Sequence, residues 1–539
     1  MSRIVVIGAG VGGMTVAARL AKQGHEVAIY EASDRTGGKC RTEWIGDYAF
    51  DTGPSLLTLP AIYKDFFLKT GPRFERVLTS TAVNPSFTYN FADGKSVDFV
   101  NLDLPKTCAA IDASLGVEGG NAWHTLMQRA EIMWDISRVP FVQSELTSIW
   151  SLLKRRDLIR GIRQIAPYKS LRKVTGEYTK DQHIQMIIDR YATYTGSDPR
   201  KAPAALLTIA FVEASFGAWH LAGGIGQLSV ALEDRCRLLQ VDINLKSPVA
   251  QINTVQGAVT GITLASGAVI SADLVVANAD AEIVYNHLLG PDVRQAKPER
   301  KKLKRAEKSL AGFSLLLGLD NSLIDGPAPE INHHSIYFPT DYDAEFDAIF
   351  TKHIPVADPT IYICAPHDPL MVKREGTENW FVLVNAPRHD PESGWDWSRG
   401  GAEYAQQIIA KLDALGLRVS ERLDVMEFRT PLDLQNSTNA PGGSIYGTSS
   451  NGAMSAFSRA KNRSPVKGLF CVGGSAHPGG GLPLVGMSAE LVAEAIGGTQ
   501  SGVTAAHHHH YRDCLLYGPN RCQSCRSGNF AVIGQYCNR

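Results

Sequence analysis

Residues 4–31 read IVVIGAGVGGMTVAARLAKQGHEVAIYE, and no other stretch limits the possible folds as tightly. Ile4, Val5, Val6 and Ile7 form an unbroken apolar run, as a parallel strand covered on both faces requires. Gly8, Gly10 and Gly13 then give G-x-G-x-x-G. The first permits a tight turn, the second lets a pyrophosphate approach the backbone, and the third lets a helix pack closely on the strand. The helix N-terminus offers free N–H groups and the positive end of its dipole to phosphate. Gly24 ends the helix as a left-handed cap, Val27 to Tyr30 returns as a second strand, and Glu31 stands at its tip for a ribose hydroxyl. Strand, turn, helix and acid together predict a Rossmann-like α/β dinucleotide-binding domain.

The next segment, ASDRTGGKCRTEWIGDYAFDTGPSLL, brings a second glycine pair, Gly37 and Gly38, with Lys39 and Arg41, and closes on Asp51, Thr52, Gly53 and Pro54. A nicotinamide cofactor has no need of these elements here. A flavin does, because its bulkier isoalloxazine lies against backbone beyond the pyrophosphate and calls for more glycine and a few cations. On these residues the chain resembles the large family of FAD-dependent amine oxidases and carotenoid desaturases. Its R-x-G-G-[RK] stretch corresponds to Arg35 to Lys39, and its D-x-G motif to Asp51 to Gly53, both without gaps. The resemblance implies FAD as the cofactor, held among others by Arg35, Gly37, Gly38, Lys39, Arg41, Asp51, Gly53 and Pro54.

Further along, Phe87 to Phe99 reads as a hairpin turning at Asp93-Gly94, and about Leu104 to Gly217 is mostly helical in period. Residues 240–280 alternate as a β-meander with turns at Gln256-Gly257 and Ser266-Gly267, ending in the apolar run Leu274 to Ala277. By resemblance, Val249 makes a backbone contact to the adenine end. Lys297 to Lys308 is a cationic run expected to form a solvated helix face. Strand candidates at Ser314–Leu319, Ser335–Phe338, Ile361–Ala365 and Phe381–Asn385 suggest a second, mixed sheet, which in the resembling family floors the substrate cavity.

Residues 468–497 read GLFCVGGSAHPGGGLPLVGMSAELVAEAIG: a strand at Leu469–Val472, the Gly473-Gly474 turn and a helix at Val485–Ile496. His477 to Pro483 matches the H-P-G-x-G-[IL]-P signature of the carotenoid desaturase branch. In that family the helix aims its N-terminus at the flavin, where its dipole stabilises the charge of the reduced ring. Gly473, Gly474, Ser475, Gly486 and Met487 are thereby implied as flavin contacts. Ser475 departs from the family pattern, where Asp is common and contacts the ribitol. His477 is the candidate catalytic residue, since its pKa range suits proton transfer; the competing role is to hold the glycine turn by a hydrogen bond.

Residues 145–174 carry Ile149, Leu152, Leu153, Leu158, Ile159 and Ile162 near helical spacing, with Lys154, Arg155, Arg156, Arg160, Arg163, Lys169, Arg172 and Lys173 between them. Such a basic amphipathic helix suits an anionic membrane surface. A core-packed helix with a solvated cationic face suits the residues equally, and the resemblance favours the membrane. No run reaches the roughly 18 apolar residues of a membrane span. The run at Ile4 feeds directly into the nucleotide turn rather than reading as a secretory signal, so the expected location is cytoplasmic and peripheral to the membrane. With 54 basic and 54 acidic residues, no global charge points to nucleic acid. Cys40, Cys108, Cys236, Cys364 and Cys471 are scattered, whereas Cys514, Cys522, Cys525 and Cys537 crowd the end beside His507 to His510. The outer spacings fit no standard zinc ribbon, so the tail is expected to be a disordered extension and no metal site is expected.

The expected architecture is an FAD-binding domain of the two-dinucleotide-binding, GR2-like type in three pieces (1–72, 225–300 and 425–498). A substrate domain with a mixed sheet and a membrane-facing helical cap (73–224 and 301–424) is inserted in it, and a tail follows (499–539). The resemblance implies a phytoene-desaturase-like enzyme that moves hydrogen from a polyene C–C unit to FAD and passes electrons to quinone or oxygen. Sibling desaturases acting on hydroxylated or shorter carotenoids, and terminal-methyl oxygenases, share the same ending. A flavin amine oxidase and a non-catalytic isoprenoid escort protein are the readings from other classes.

Overall fold

The computed structural model describes residues 1–116, 118–146, 161 and 163–497. Strand β1 (Arg3–Ile7) lies at the centre of a five-stranded parallel sheet in the order β10-β2-β1-β14-β20. Its partners are β2 (Glu26–Tyr30), β10 (Asp242–Asn244), β14 (Leu274–Ala277) and β20 (Leu469–Cys471). Ile4, Val6, Val275 and Val276 are fully buried, which explains the unbroken apolar runs. Three segments far apart in sequence therefore share one sheet.

Different layers cover the two faces of that sheet. Helix α1 (Val11–Lys22), α2 (Ala61–Thr70), α8 (Gly226–Leu238) and α9 (Leu482–Gly497) pack on one, with Met14, Val16, Phe66, Leu228, Leu232 and Val492 interlocked. On the other lies the expected meander, β11 (Val249–Val255), β12 (Ala258–Leu264) and β13 (Val269–Ser271), joined through Ile252, Ile262 and Val284. A small hairpin, β3 (Thr42–Ile45) with β4 (Tyr48–Asp51), leads out of the nucleotide region.

The second sheet has seven strands in the order β19-β15-β18-β17-β16-β7-β8. Its members are β7 (Phe87–Asn90), β8 (Ser96–Phe99), β15 (Ala311–Asp320), β16 (His334–Tyr337), β17 (Ile361–Cys364), β18 (Thr377–Ala386) and β19 (Leu423–Arg429). All pairings are antiparallel except β16 with β7, so the sheet is mixed as expected. Strand β19 spans the boundary expected at 425 and, by pairing with β15, belongs to this second sheet. β5 (Leu57–Thr58), β6 (Ser80–Ala82) and β9 (Ala218–Leu221) form a three-stranded link between the two regions.

Helices α3 (Leu104–Leu115), α4 (Gly119–Phe141), α5 (Leu171–Tyr178), α6 (Gln182–Thr193) and α7 (Leu207–Phe216) pack on the β7–β8 hairpin through Trp123, Leu126, Ile184 and Ile188. Most of the basic amphipathic stretch, residues 147–160 and 162, lies outside the described residues, as does the tail from 498 onward. At its described end, Arg172 is ion-paired to Asp189 and Asp343, and Lys169 to Glu177, so those cations brace neighbouring elements of the protein. No helix among the described residues is long and apolar enough to cross a membrane.

Candidate active site

The turn after β1 is closed by glycines that no other residue can replace. Gly8 has φ +94, and a Cβ on Gly13 would stand 2.0 Å from the Gly8 carbonyl oxygen. Helix α1 begins at Gly10 without any side-chain cap, leaving its first N–H groups unpaired by the protein. At the tip of β2, Glu31 accepts the N–H of Ala9 at 2.7 Å and of Ser33 at 2.9 Å. Each carboxylate oxygen keeps further lone pairs for a diol. Unpaired helix N–H groups beside a fixed carboxylate are the donor set that a pyrophosphate and a ribose need.

The second glycine pair folds onto this turn. Gly37 donates its N–H to the Ala9 carbonyl at 2.9 Å, and a Cβ on Gly38 would lie 3.2 Å from the Gly10 Cα. The cations around it are each engaged by groups of the protein. Arg35 pairs with Glu43 at 2.8 Å, Arg41 donates to the carbonyls of Thr36 and Arg35, and Lys39 Nζ donates to the carbonyls of Ser444 and Ile445. These side chains brace the loop that presents its glycines. Asp51 also faces inward: it accepts the Thr42 hydroxyl and the Ile225 N–H, fixing the start of α8, and burial raises its pKa to about 6. Gly53 passes so close to Lys39 that a Cβ would lie 1.9 Å from the Lys39 carbonyl; Pro54 follows.

The far end of the chain arrives at the same place. A Cβ on Gly12 would stand 3.3 Å from the Gly473 Cα, and Asn278, just beyond β14, touches Gly8, Gly10, Gly12, Gly13 and Gly473. Gly474 packs against Gly480. Ser475 Oγ accepts the Ala281 N–H at 2.9 Å, capping the turn after β14. The last helix starts at Leu482, one turn earlier than its apolar period suggested. Gly486 and Met487 turn towards α2, against Ile62 and within its apolar cluster. Val249 opens β11 beside the β2 tip, where Ser247 donates its N–H to the Glu31 carbonyl.

His477 is buried, its Nε2–H donating to the Ser144 carbonyl at 2.9 Å while its own carbonyl accepts from Asn462. Burial lowers its pKa to about 4, so the ring is neutral at neutral pH. Of its two expected roles, this geometry favours holding the glycine turn.

Several polar side chains behind the groove carry no sequence signal. Arg190 and Glu213 form a buried pair at 3.8 Å, wrapped by Phe87, Tyr89, Tyr191 and Tyr194. Beyond Pro54, Ser55 Oγ lies 2.6 Å from Tyr362 Oη, which is 2.8 Å from His334. Asn278 was also missed, although its place just past a buried strand that pairs with β1 is the available clue.

Comparison with known proteins agrees with this geometry. Residues 11–309 match the family model described as flavin containing amine oxidoreductase. The chain is 30% identical to a 4,4′-diapolycopene oxygenase of Methylomonas sp, covering 92% of this chain and 98% of that one. It is 31% identical to a zeta-carotene-forming phytoene desaturase of Myxococcus xanthus, covering 92% and 93%. Its fold is that of a cyclohexylamine oxidase from Brevibacterium oxydans IH-35A, with a TM-score of 0.57 at 16% identity over 92% of this chain and 99% of that one.

Proposed function

The chain belongs to the flavin-containing amine oxidoreductase family, and we propose that within it the protein is an FAD-dependent carotenoid desaturase. The observation that carries this is the convergence of Gly8–Gly13, Gly37–Gly38 and Gly473–Gly474 on one groove, in a chain about 30% identical to carotenoid-modifying enzymes along nearly its whole length. Helices on one face of the nucleotide sheet and a meander on the other support the two-dinucleotide type of domain.

Glu31 would take the adenosine ribose, the uncapped start of α1 the pyrophosphate, and the loop braced by Arg35, Lys39 and Arg41 the flavin side. Bound there, FAD supplies the acceptor for the hydrogen that leaves a C–C unit with its electron pair. The protein's own contribution is position. The β-strands behind Pro54 form the floor on which a long apolar substrate would lie, and the neutral His477 ties the His477–Pro483 turn to the end of α4. Charge developing on a polyene is delocalised, so no strong base is needed for the proton of the neighbouring carbon. Quinone or oxygen serves as the final electron acceptor in this reading, and the basic segment of residues 145–174 brings the enzyme to an anionic bilayer holding the substrate.

Expression in cells that accumulate phytoene or a later carotene, followed by pigment analysis, tests the reading. New, more unsaturated carotenes are expected; unchanged pigment in every host would remove it. Oxygenated end groups would instead assign the oxygenase branch, the second reading, favoured by the identity to diapolycopene oxygenase. At low salt, the purified protein is expected to co-sediment with anionic vesicles and to be released by added salt.

A further inference from the structure

Outside the nucleotide groove, the described residues bring together His333, His334 and Cys364, one donor atom from each, all within 4.8 Å of one another. Strand register explains the grouping. His334 opens β16 and is the direct antiparallel partner of Cys364 at the end of β17, so both side chains leave the same face. His333 precedes the strand, its carbonyl accepting the Ala365 N–H, and its ring lies 4.3 Å from that of His334. His333 Nδ1 is 3.8 Å from Cys364 Sγ. Two such ligands on one tetrahedral ion, with bonds of about 2.0 Å to nitrogen and 2.3 Å to sulfur, stand roughly 3.5 Å apart. The His333–Cys364 pair is close to that spacing.

The second observation is a set of polar atoms without partners. His334 Nε2 and His220 Nδ1 are buried and make no hydrogen bond. A buried polar atom without a partner is costly, and two of them beside the His333–Cys364 pair point to something they are shaped to hold. His334 is fully buried and His220 is 9% exposed. The ring of His220 lies 5.0 Å from that of His333, and its Nε2 is held by Asp368 at 2.8 Å. A carboxylate on one ring nitrogen is the arrangement that orients metal-ligating histidines. His334 Nδ1 lies 2.8 Å from Tyr362 Oη, itself 2.6 Å from Ser55 Oγ, and in the tautomer that carries its proton on Nδ1 the ring keeps a bare lone pair at Nε2. A bound cation would displace the Cys364 thiol proton.

We propose that His333, His334 and Cys364, with His220 beside them, bind one borderline-soft transition-metal ion, zinc or monovalent copper. Two or three imidazoles and a thiolate select against magnesium and calcium, which take oxygen. The site stands independently of the reaction proposed above.

The test loads the purified full-length flavoprotein with zinc or, without air, with monovalent copper, then desalts it and measures bound metal. Because His507 to His510 and the four tail cysteines can also take metal, the readout is the difference between wild type and variants with the same tail. One metal fewer per chain is expected in His334→Ala and in Cys364→Ala, at unchanged flavin absorbance. Cobalt(II) is expected to give a thiolate charge-transfer band in wild type that Cys364→Ala lacks. The near-isosteric Cys364→Ser and His334→Gln repeat the comparison if an alanine variant loses flavin. Metal content and cobalt spectra equal to wild type, in variants that retain flavin, would overturn the proposal; whichever ion fills the extra site in wild type identifies it.

Discussion

The nucleotide groove and the sheet behind it are built by opposite means. In the groove, what matters is absent side chains: Gly8, Gly13, Gly38 and Gly473 let three backbone segments approach within a few ångströms. In the sheet, crowded polar side chains do the organising. Arg190 lies 4.7 to 5.3 Å from four aromatic ring centroids and donates to Tyr89 and Tyr194, while Glu213 accepts from Tyr191 and Tyr194. A groove made of backbone has few ways to relax when a side chain is added. A buried polar network fails instead when one member is removed.

That contrast predicts a ranked set of losses. Gly13→Ala should be the most severe, since the clash at 2.0 Å is with backbone and no rotamer relieves it; the protein is expected without flavin absorbance and mostly insoluble. Gly24→Ala is the control: φ is +89 but nothing lies within 4 Å, so a cost of about 1 kcal/mol with flavin retained is expected. Equal damage from both would erase the distinction between close approach and backbone strain.

Next comes Arg190→Met, which leaves Glu213 as an uncompensated buried charge and should cost about 3–5 kcal/mol in denaturant unfolding. Arg190→Met combined with Glu213→Gln should recover part of that. No recovery would mean that the aromatic packing of the guanidinium, rather than the ion pair, holds the region together.

His477 joins the two regions and sharpens the comparison through pH. Its folded pKa, about 4, lies below the ordinary value of 6.5, so the unfolded chain binds the extra proton between them. Its stabilising contribution, about 3 kcal/mol, is complete above pH 6.5 and is lost as pH falls towards 4. In His477→Gln the pH slope of stability in that window should shrink. His477→Ala is expected to keep its flavin, and its turnover separates the two roles: loss beyond what stability explains would assign the residue to proton transfer.

The smallest effect expected is that of Ser475→Ala. Losing the acceptor for the Ala281 N–H should cost about 1 kcal/mol while flavin affinity stays unchanged. A weaker flavin would show that Ser475 serves the cofactor as well as the turn.

The same division decided what could be read from sequence. Glycine requirements are local, so Gly8 to Gly13, Gly37–Gly38 and Gly473–Gly474 announced the groove, and apolar runs announced the parallel strands. Other features depend on distant partners. Strand β19 is only partly buried and pairs with β15 across about a hundred residues, so nothing local placed it in the second sheet. His220, His333, His334 and Cys364 come from three segments whose adjacency exists only in the folded sheet. Lys39 and Arg41 were legible as cations near a flavin, but not as braces, because their partners at Ser444, Ile445 and Thr36 are backbone carbonyls.

The central claim, that one groove formed by both ends of the chain dehydrogenates a carotenoid, is tested most directly by mixing the purified flavoprotein with phytoene-loaded vesicles in the absence of air. Bleaching of the flavin absorbance in step with a more extended polyene spectrum is the predicted result. A flavin that stays oxidised with phytoene and later carotenes, but bleaches with a primary amine, would contradict it.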